Sequence, residues 1–111
     1  MTEASQIQVR VDRWDEPEPP SLDEMRETLR EEGFNGIHTF RDAPGTRYAE
    51  HEHDFIEVRW IYKGEITFGI GEENYTLTPG DRLDVPADTT HDAQMHPKKG
   101  AAYVCASKDP D

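Results

Sequence analysis

Along this chain the spacing of apolar residues changes once, near residue 35. Before that point, Ile7, Val9 and Val11 alternate with polar residues, a period of two that predicts a short strand. The segment 15–20 (DEPEPP) cannot continue it, because three prolines in four positions remove backbone donors and enforce an extended linker. Ser21 and Glu24 then form the capping-box pattern that opens a helix. Leu22, Met25 and Leu29 follow at spacings of three and four, a narrow apolar stripe, and Gly33 suits a C-terminal stop. The pattern predicts one amphipathic helix over about 22–32, with acidic residues on its wet side.

From residue 36 the period is two. Strand-like runs fall at about 36–40, 47–50, 55–62, 65–70, 74–77, 82–85 and 101–106. Turn signals separate them: Ala43-Pro44-Gly45, Lys63-Gly64, Gly71 to Asn74, Pro79-Gly80-Asp81 and Pro97 to Gly100. Many short strands at regular spacing predict an all-β sandwich or barrel. There is no internal repeat and no low-complexity segment.

Composition narrows the classes. At 111 residues the chain makes one domain with a single core. Only 33% of residues are hydrophobic, and no run is long enough for a transmembrane helix. The start, MTEASQIQVRVDRW, lacks a basic stretch followed by an apolar one, so no cleaved signal peptide is expected. The single cysteine, Cys105, excludes an internal disulfide and a Cys-based zinc knuckle, and fits a reducing, cytoplasmic setting. A net charge of −12 makes nucleic acid and anionic membranes poor partners. The excess is −6 on either side of residue 35, so it is no acidic tail. It reads as a solvated surface or as adaptation to high salt, the latter favoured by four Lys against eight Arg.

Five histidines carry the candidate chemistry: His38, His51, His53, His91 and His96. His51 and His53 are two apart in a β-type region, so both side chains share a face. Glu57 shares it too if the strand is continuous. Together they offer a divalent metal three ligands, and His91, after the turn Pro86 to Thr90, offers a fourth. Ordinary exposed histidines are the alternative.

The spacing resembles a family. Gly45-(x5)-His51-x-His53-(x3)-Glu57-(x6)-Gly64 matches the first cupin motif in full. Gly80-(x5)-Pro86-x-Asp88-(x2)-His91 resembles the second, with Asp88 in place of its usual Gly and Met95 in place of its usual Asn. Fifteen residues separate Gly64 from Gly80, and the resemblance covers about 36–106. It implies an all-β double-stranded β-helix, the jelly-roll barrel of a small single-domain cupin, carrying one N-terminal amphipathic helix. The implied division is residues 1–35 as strand, Pro-rich linker and helix packed on the barrel, and 36–111 as the barrel itself. The resemblance also implies a metal held inside by His51, His53, Glu57 and His91. It does not fix a reaction, because the fold hosts many.

Three imidazoles and a carboxylate suit one divalent transition metal: Fe, Mn, Ni, Co, Cu or Zn. Four protein ligands leave up to two positions on an octahedral ion, enough for Lewis-acid or oxygen-activating chemistry on a small molecule. Parity along 55–62 (FIEVRWIY) supplies more. If Glu57 points inward, so do Phe55, Arg59 and Ile61, while Val58, Trp60 and Tyr62 lie outward. Arg59 is then placed to anchor a substrate carboxylate or enolate; the alternatives are the barrel mouth or an internal ion pair with an acid such as Asp84. Trp60 and Tyr62 need a cover, either the chain's own N-terminal arm and helix or, as the resemblance implies, the second subunit of a homodimer.

His38 and His96 read as surface or hydrogen-bonded histidines, and Cys105 as a small buried side chain with no partnering base specified. Cupin thiol dioxygenases generally use three histidines without the acid, so Glu57 argues against that branch. The expectation is a metal-binding enzyme, of dioxygenase or isomerase type, acting on a small oxygen-bearing molecule through Glu57 and Arg59. A non-catalytic ligand-binding or sensing module, or a purely structural metal, are the alternatives.

Overall fold

The computed structural model describes residues 9–110. Nine strands and one helix follow one another as β1 (Arg10–Asp12), α1 (Leu22–Glu31), β2 (Asn35–Asp42), β3 (Arg47–His51), β4 (Ile56–Gly64), β5 (Ile66–Ile70), β6 (Glu73–Leu77), β7 (Arg82–Val85), β8 (His91–Met95) and β9 (Ala101–Lys108). They build two antiparallel sheets, one ordered β1-β7-β4-β9-β2 and the other β3-β8-β5-β6. This is the jelly-roll arrangement, with the core between the two sheets. Ile7 lies outside the described residues; β1 itself pairs with β7.

The helix forms where the pattern places it. The Glu24 backbone N–H donates to Ser21 Oγ at 3.1 Å, and the Ser21 N–H donates to Glu24 Oε1 at 2.9 Å. Gly33 takes φ 91°, and the N–H groups of Gly33 and Phe34 reach back to the carbonyls of Arg30 and Leu29. That is a Schellman stop, in which a left-handed residue satisfies two orphan carbonyls.

Parity sorts the side chains of β4. Ile61 joins the inter-sheet core with Ile66, Phe68, Leu77, Leu83 and Tyr103. Val58, Trp60 and Tyr62 face outward, and α1 covers them through Met25 and Leu29. The cover is therefore intrachain. No helix among the described residues is long and apolar enough to cross a membrane.

One strand escapes the sequence pattern. In β8 the inward positions are His91, Ala93 and Met95, and the outward ones Asp92 and Gln94. With no β-branched residue, its alternation has little apolar contrast. Its place is set by pairing with β3 and β5.

Charges lock the helix to the sheet. Arg82, 4% exposed, pairs with Asp84 at 2.8 Å and Glu32 at 2.6 Å, and its guanidinium lies over the rings of Trp60 and Phe34. Glu32 is the C-terminal cap of α1, so one buried cation ties the helix end to β7. At the other end of α1's approach, Asp81 accepts from the Trp14 backbone N–H at 2.8 Å and pairs with Arg13 at 3.1 Å.

The Arg82 hydrogen bonds hold the Glu32 carboxyl below its ordinary value, against a smaller opposing effect of burial. Its stabilisation is thus present above the ordinary carboxylate range and lost as pH falls through the lowered value. Arg82→Met should cost roughly 2–3 kcal/mol in urea unfolding, somewhat under a fully buried pair because Glu32 is partly solvated. Glu32→Gln should flatten the loss of stability expected of the wild type as pH falls through and below the ordinary carboxylate range; an unchanged acid profile would remove Glu32 from that role.

Candidate metal centre

The condition under which Glu57 would share the face of His51 and His53, one continuous strand, is not met. β3 ends at His51, the chain crosses between the sheets at 52–55, and β4 begins at Ile56. Glu57 therefore approaches from the sheet opposite β3, and the group converges across the barrel instead of along one strand. His91 opens β8 and sits directly opposite His51 in the register. The crossing is tied down by the Asp88 N–H donating to the His53 carbonyl at 2.6 Å. Asp88 itself has φ 58°. This explains the preference for Gly there: the turn before His91 needs a left-handed residue, and Asp tolerates one better than most.

The ligand atoms of His51, His53 and His91 lie within 4.8 Å of one another, a group able to hold a metal ion. The His51 and His91 rings are 4.4 Å apart, and His53 stacks on Phe55 at 4.6 Å. Two tautomers are fixed by the backbone. Nδ1–H of His51 donates to the Ala49 carbonyl at 2.7 Å, and Nδ1–H of His91 to the Thr89 carbonyl at 2.8 Å. In the neutral ring each Nε2 is then a lone pair, the form a metal requires. His91, 3% exposed, leaves its Nε2 without a hydrogen-bond partner. A buried nitrogen in that condition is costly unless something binds it. The donor set thus fits a divalent transition ion.

Glu57 stands beside this triad and outside it. Its Oε1 is 3.5 Å from Nε2 of both His53 and His91, and its Oε2 is 2.7 Å from Arg59 Nη1. The Arg59 contact is an ion pair without hydrogen-bond alignment, so the buried Nη1 keeps an unused donor. Burial pushes the Glu57 carboxyl up, but His91 and the Arg59 charge outweigh it and hold the group at about 2. Burial likewise opposes the Arg59 charge, and Glu57 more than restores it. Both are ionised. The alternative pairing of Arg59 with Asp84 is not seen, since Asp84 is held outside by Arg82. Burial lowers the His53 imidazole, against the pull of Glu57, and favours its neutral form.

A cavity of about 30 Å³ opens beside the histidines. Its floor is apolar, from Ile66, Phe68, Ala93 and Met95; its polar lining is His51, His91, Arg59, Tyr48 and Tyr103. That is room for a water or two.

The structure adds contacts the sequence pattern does not specify. Asp42 accepts the hydroxyl protons of Tyr48 at 2.7 Å and Tyr103 at 2.6 Å, the second contact spanning 61 residues. His38 places Nε2 2.9 Å from Cys105 Sγ, while its Nδ1–H donates to the Gly36 carbonyl at 2.7 Å. Burial pushes the Cys105 thiol up, so its S–H donates to the imidazole and the sulfur stays un-ionised. His96 accepts the Lys98 N–H at 3.1 Å in its turn, away from the triad. Only the β2–β9 register, in which His38 faces Cys105 and Phe40 faces Tyr103, brings these groups together.

A family model described as the AraC-like ligand binding domain matches residues 34–111. No curated protein matches the chain significantly. Among solved structures, the DMSP lyase DddQ of Ruegeria pomeroyi is 26% identical with a TM-score of 0.57, over 66% of this chain and 38% of that one. An RmlC-like cupin from Shewanella frigidimarina is 24% identical with a TM-score of 0.56, over 64% and 63%. A cupin superfamily protein from Desulfitobacterium hafniense is 20% identical with a TM-score of 0.59, over 97% and 84%. The chain thus spans well under half the length of DddQ and somewhat under two thirds of the Shewanella protein. At identities under 25%, the last two speak to the fold alone.

The turn that carries His91 gives a direct test. Asp88→Gly should raise stability by about 0.5–1 kcal/mol in thermal unfolding, because Gly adopts positive φ freely. Asp88→Val should lower it, because a β-branched residue is an outlier there. Equal stabilities would show that φ at this position does not matter.

Proposed function

This chain belongs to the AraC-like ligand-binding family of cupin domains, and from that premise we propose that it holds one divalent transition metal at His51, His53, Glu57 and His91 and acts there on a small oxygen-bearing organic anion. The observation that carries the reading is the pair of unsatisfied groups at one cavity. The His91 Nε2 and the Arg59 Nη1 are both buried without hydrogen-bond partners. The first suits a Lewis acid; the second already faces Glu57 Oε2 at 2.7 Å, and the guanidinium has further N–H groups for a ligand oxygen. A bound ion would supply Lewis-acid or oxygen-activating chemistry at the triad.

The chain's own residues do the rest. The backbone carbonyls of Ala49 and Thr89 hold the His51 and His91 rings with Nε2 outward. Glu57, kept ionised by its surroundings, suits the fourth ligand; held at about 2, it is a weak base for taking a proton from a substrate oxygen. Arg59 presents the N–H groups that Glu57 leaves unused to a carboxylate or enolate, with a geometry a Lys could not copy. The apolar floor keeps bulk water from the anion and so strengthens its attraction to Arg59. A dioxygenase or isomerase type of reaction fits such a site. Support for an enzyme comes from DddQ, a lyase on the same fold. In this reading the barrel of 36–111 is the ligand-binding unit, and the preceding segment braces it from outside.

A second reading is favoured by the family description. A ligand-binding domain can hold its ligand at this site without turnover and pass the signal to a partner protein. Turnover of a bound acid separates the two.

Elemental analysis of untagged protein should find about one equivalent of Fe, Mn, Ni, Co, Cu or Zn, lost in the His51→Ala/His91→Ala double variant. Arg59→Ala should keep the metal and lose small-carboxylate binding by about tenfold or more, as expected for a charge-assisted bond. Wild type that takes up none of these metals on reconstitution would end the metal reading. Arg59→Ala that binds carboxylates as well as wild type would end the anchor role.

A further inference from the structure

Asp42 has no part in the metal site, yet it controls the cavity's polar wall. It ends β2, opposite Ala101 of β9, and is 9% exposed. Its two oxygens take one phenol each, Tyr48 on Oδ1 and Tyr103 on Oδ2. A phenol has a single proton to give. Both protons are committed to Asp42, so toward the cavity these two tyrosines can only accept.

The other polar lining follows the same rule. His51 and His91 have given their Nδ1 protons to backbone carbonyls. Arg59 is left as the lining's single donor, with its guanidinium 5.3 Å over the Tyr103 ring. The cavity thus has a donor side at Arg59 and an acceptor side at the phenols. Burial and the Asp42 contact both push the two phenols up, so they remain protonated and the arrangement is static.

We infer that Asp42 is a specificity-determining positioning residue: by holding both tyrosine protons it makes the wall beside Arg59 acceptor-only, and so selects a small carboxylic acid that also carries a hydroxyl donor over the same acid without one. The inference rests on the Arg59-anchored reading above and adds the second half of the ligand. The oxyanion meets Arg59, and the hydroxyl donates to a phenol oxygen. A plain acid leaves those lone pairs unpaired.

The test uses zinc-loaded protein titrated with glycolate and with acetate, followed by NMR. Wild type should bind glycolate about tenfold more tightly than acetate, the worth of one hydrogen bond made or missed. Asp42→Asn should reduce that ratio to near one, because the carboxamide accepts at one atom only and turns one phenol proton back toward the cavity. Tyr103→Phe, which keeps the ring and deletes one acceptor, should lower the ratio as well. It carries the test if Asp42→Asn is too unstable to study. A ratio preserved in the variants would assign the preference to chelation by the metal and overturn the inference. Equal binding of the two acids by wild type would overturn it while leaving the Arg59 anchor standing. Binding of neither acid would overturn both.

Discussion

A carboxylate and a guanidinium stand 2.7 Å apart on the inward face of one barrel strand, and the site is built around accommodating them. β4 is flanked by β7 and β9, with Glu57 opposite Val85 and Ser107, and Arg59 opposite Leu83 and Cys105. Strand parity then leaves no choice: if Ile61 is to fill the core, Glu57 and Arg59 must point the same way. Two ions in such a place are costly unless each is matched. Glu57 is matched by Arg59 on one oxygen, and its other oxygen stands 3.5 Å from Nε2 of His53 and His91, where a cation would match it. Arg59 is matched by Glu57 and by the face of Tyr103, and that ring is itself held by Asp42. The polar groups of the barrel therefore form one connected chain, Asp42 to Tyr103 to Arg59 to Glu57 to the histidines.

The exterior carries a separate electrostatic task. Arg82 and Asp81 fasten the helix and the residue 9–20 arm to the outside of the five-stranded sheet. Neither side chain belongs to the cavity. The outward face of β4 is thereby closed by the chain's own residues, while on the inward side Arg59 Nη1 of β4 and His91 Nε2 of β8 are left without hydrogen-bond partners. Among the described residues the buried side-chain atoms without partners fall together at this cavity, as a ligand site would require.

How much of this was legible in the sequence depends on how local each contact is. The capping box, the Gly33 stop and the inward parity of Glu57, Arg59 and Ile61 were readable because each needs only neighbours in the chain. His51, His53 and His91 were readable through their motif spacing. The crossing at 52–55 was not, because a period-two pattern reports which face a residue takes and not which sheet its strand joins. β8 was hidden because its inward residues are His, Ala and Met. The contacts of Cys105 with His38 and of Asp42 with Tyr103 depend on register between distant strands, where one residue's slip would change every pairing. Asp42 in particular looks like any acid in an acidic chain until β9 brings Tyr103 to it.

The central claim is that free imidazole Nε2 atoms, held outward by backbone carbonyls, form the metal centre. Long-range proton–nitrogen NMR of the histidine rings, recorded before and after one equivalent of zinc, tests it most directly. The account predicts Nδ1–H tautomers for His51 and His91 in the metal-free protein. On zinc addition, Nε2 of His51, His53 and His91 should shift together while His38 and His96 stay put. Shifts spread over all five histidines, or confined to His38 and His96, would contradict it.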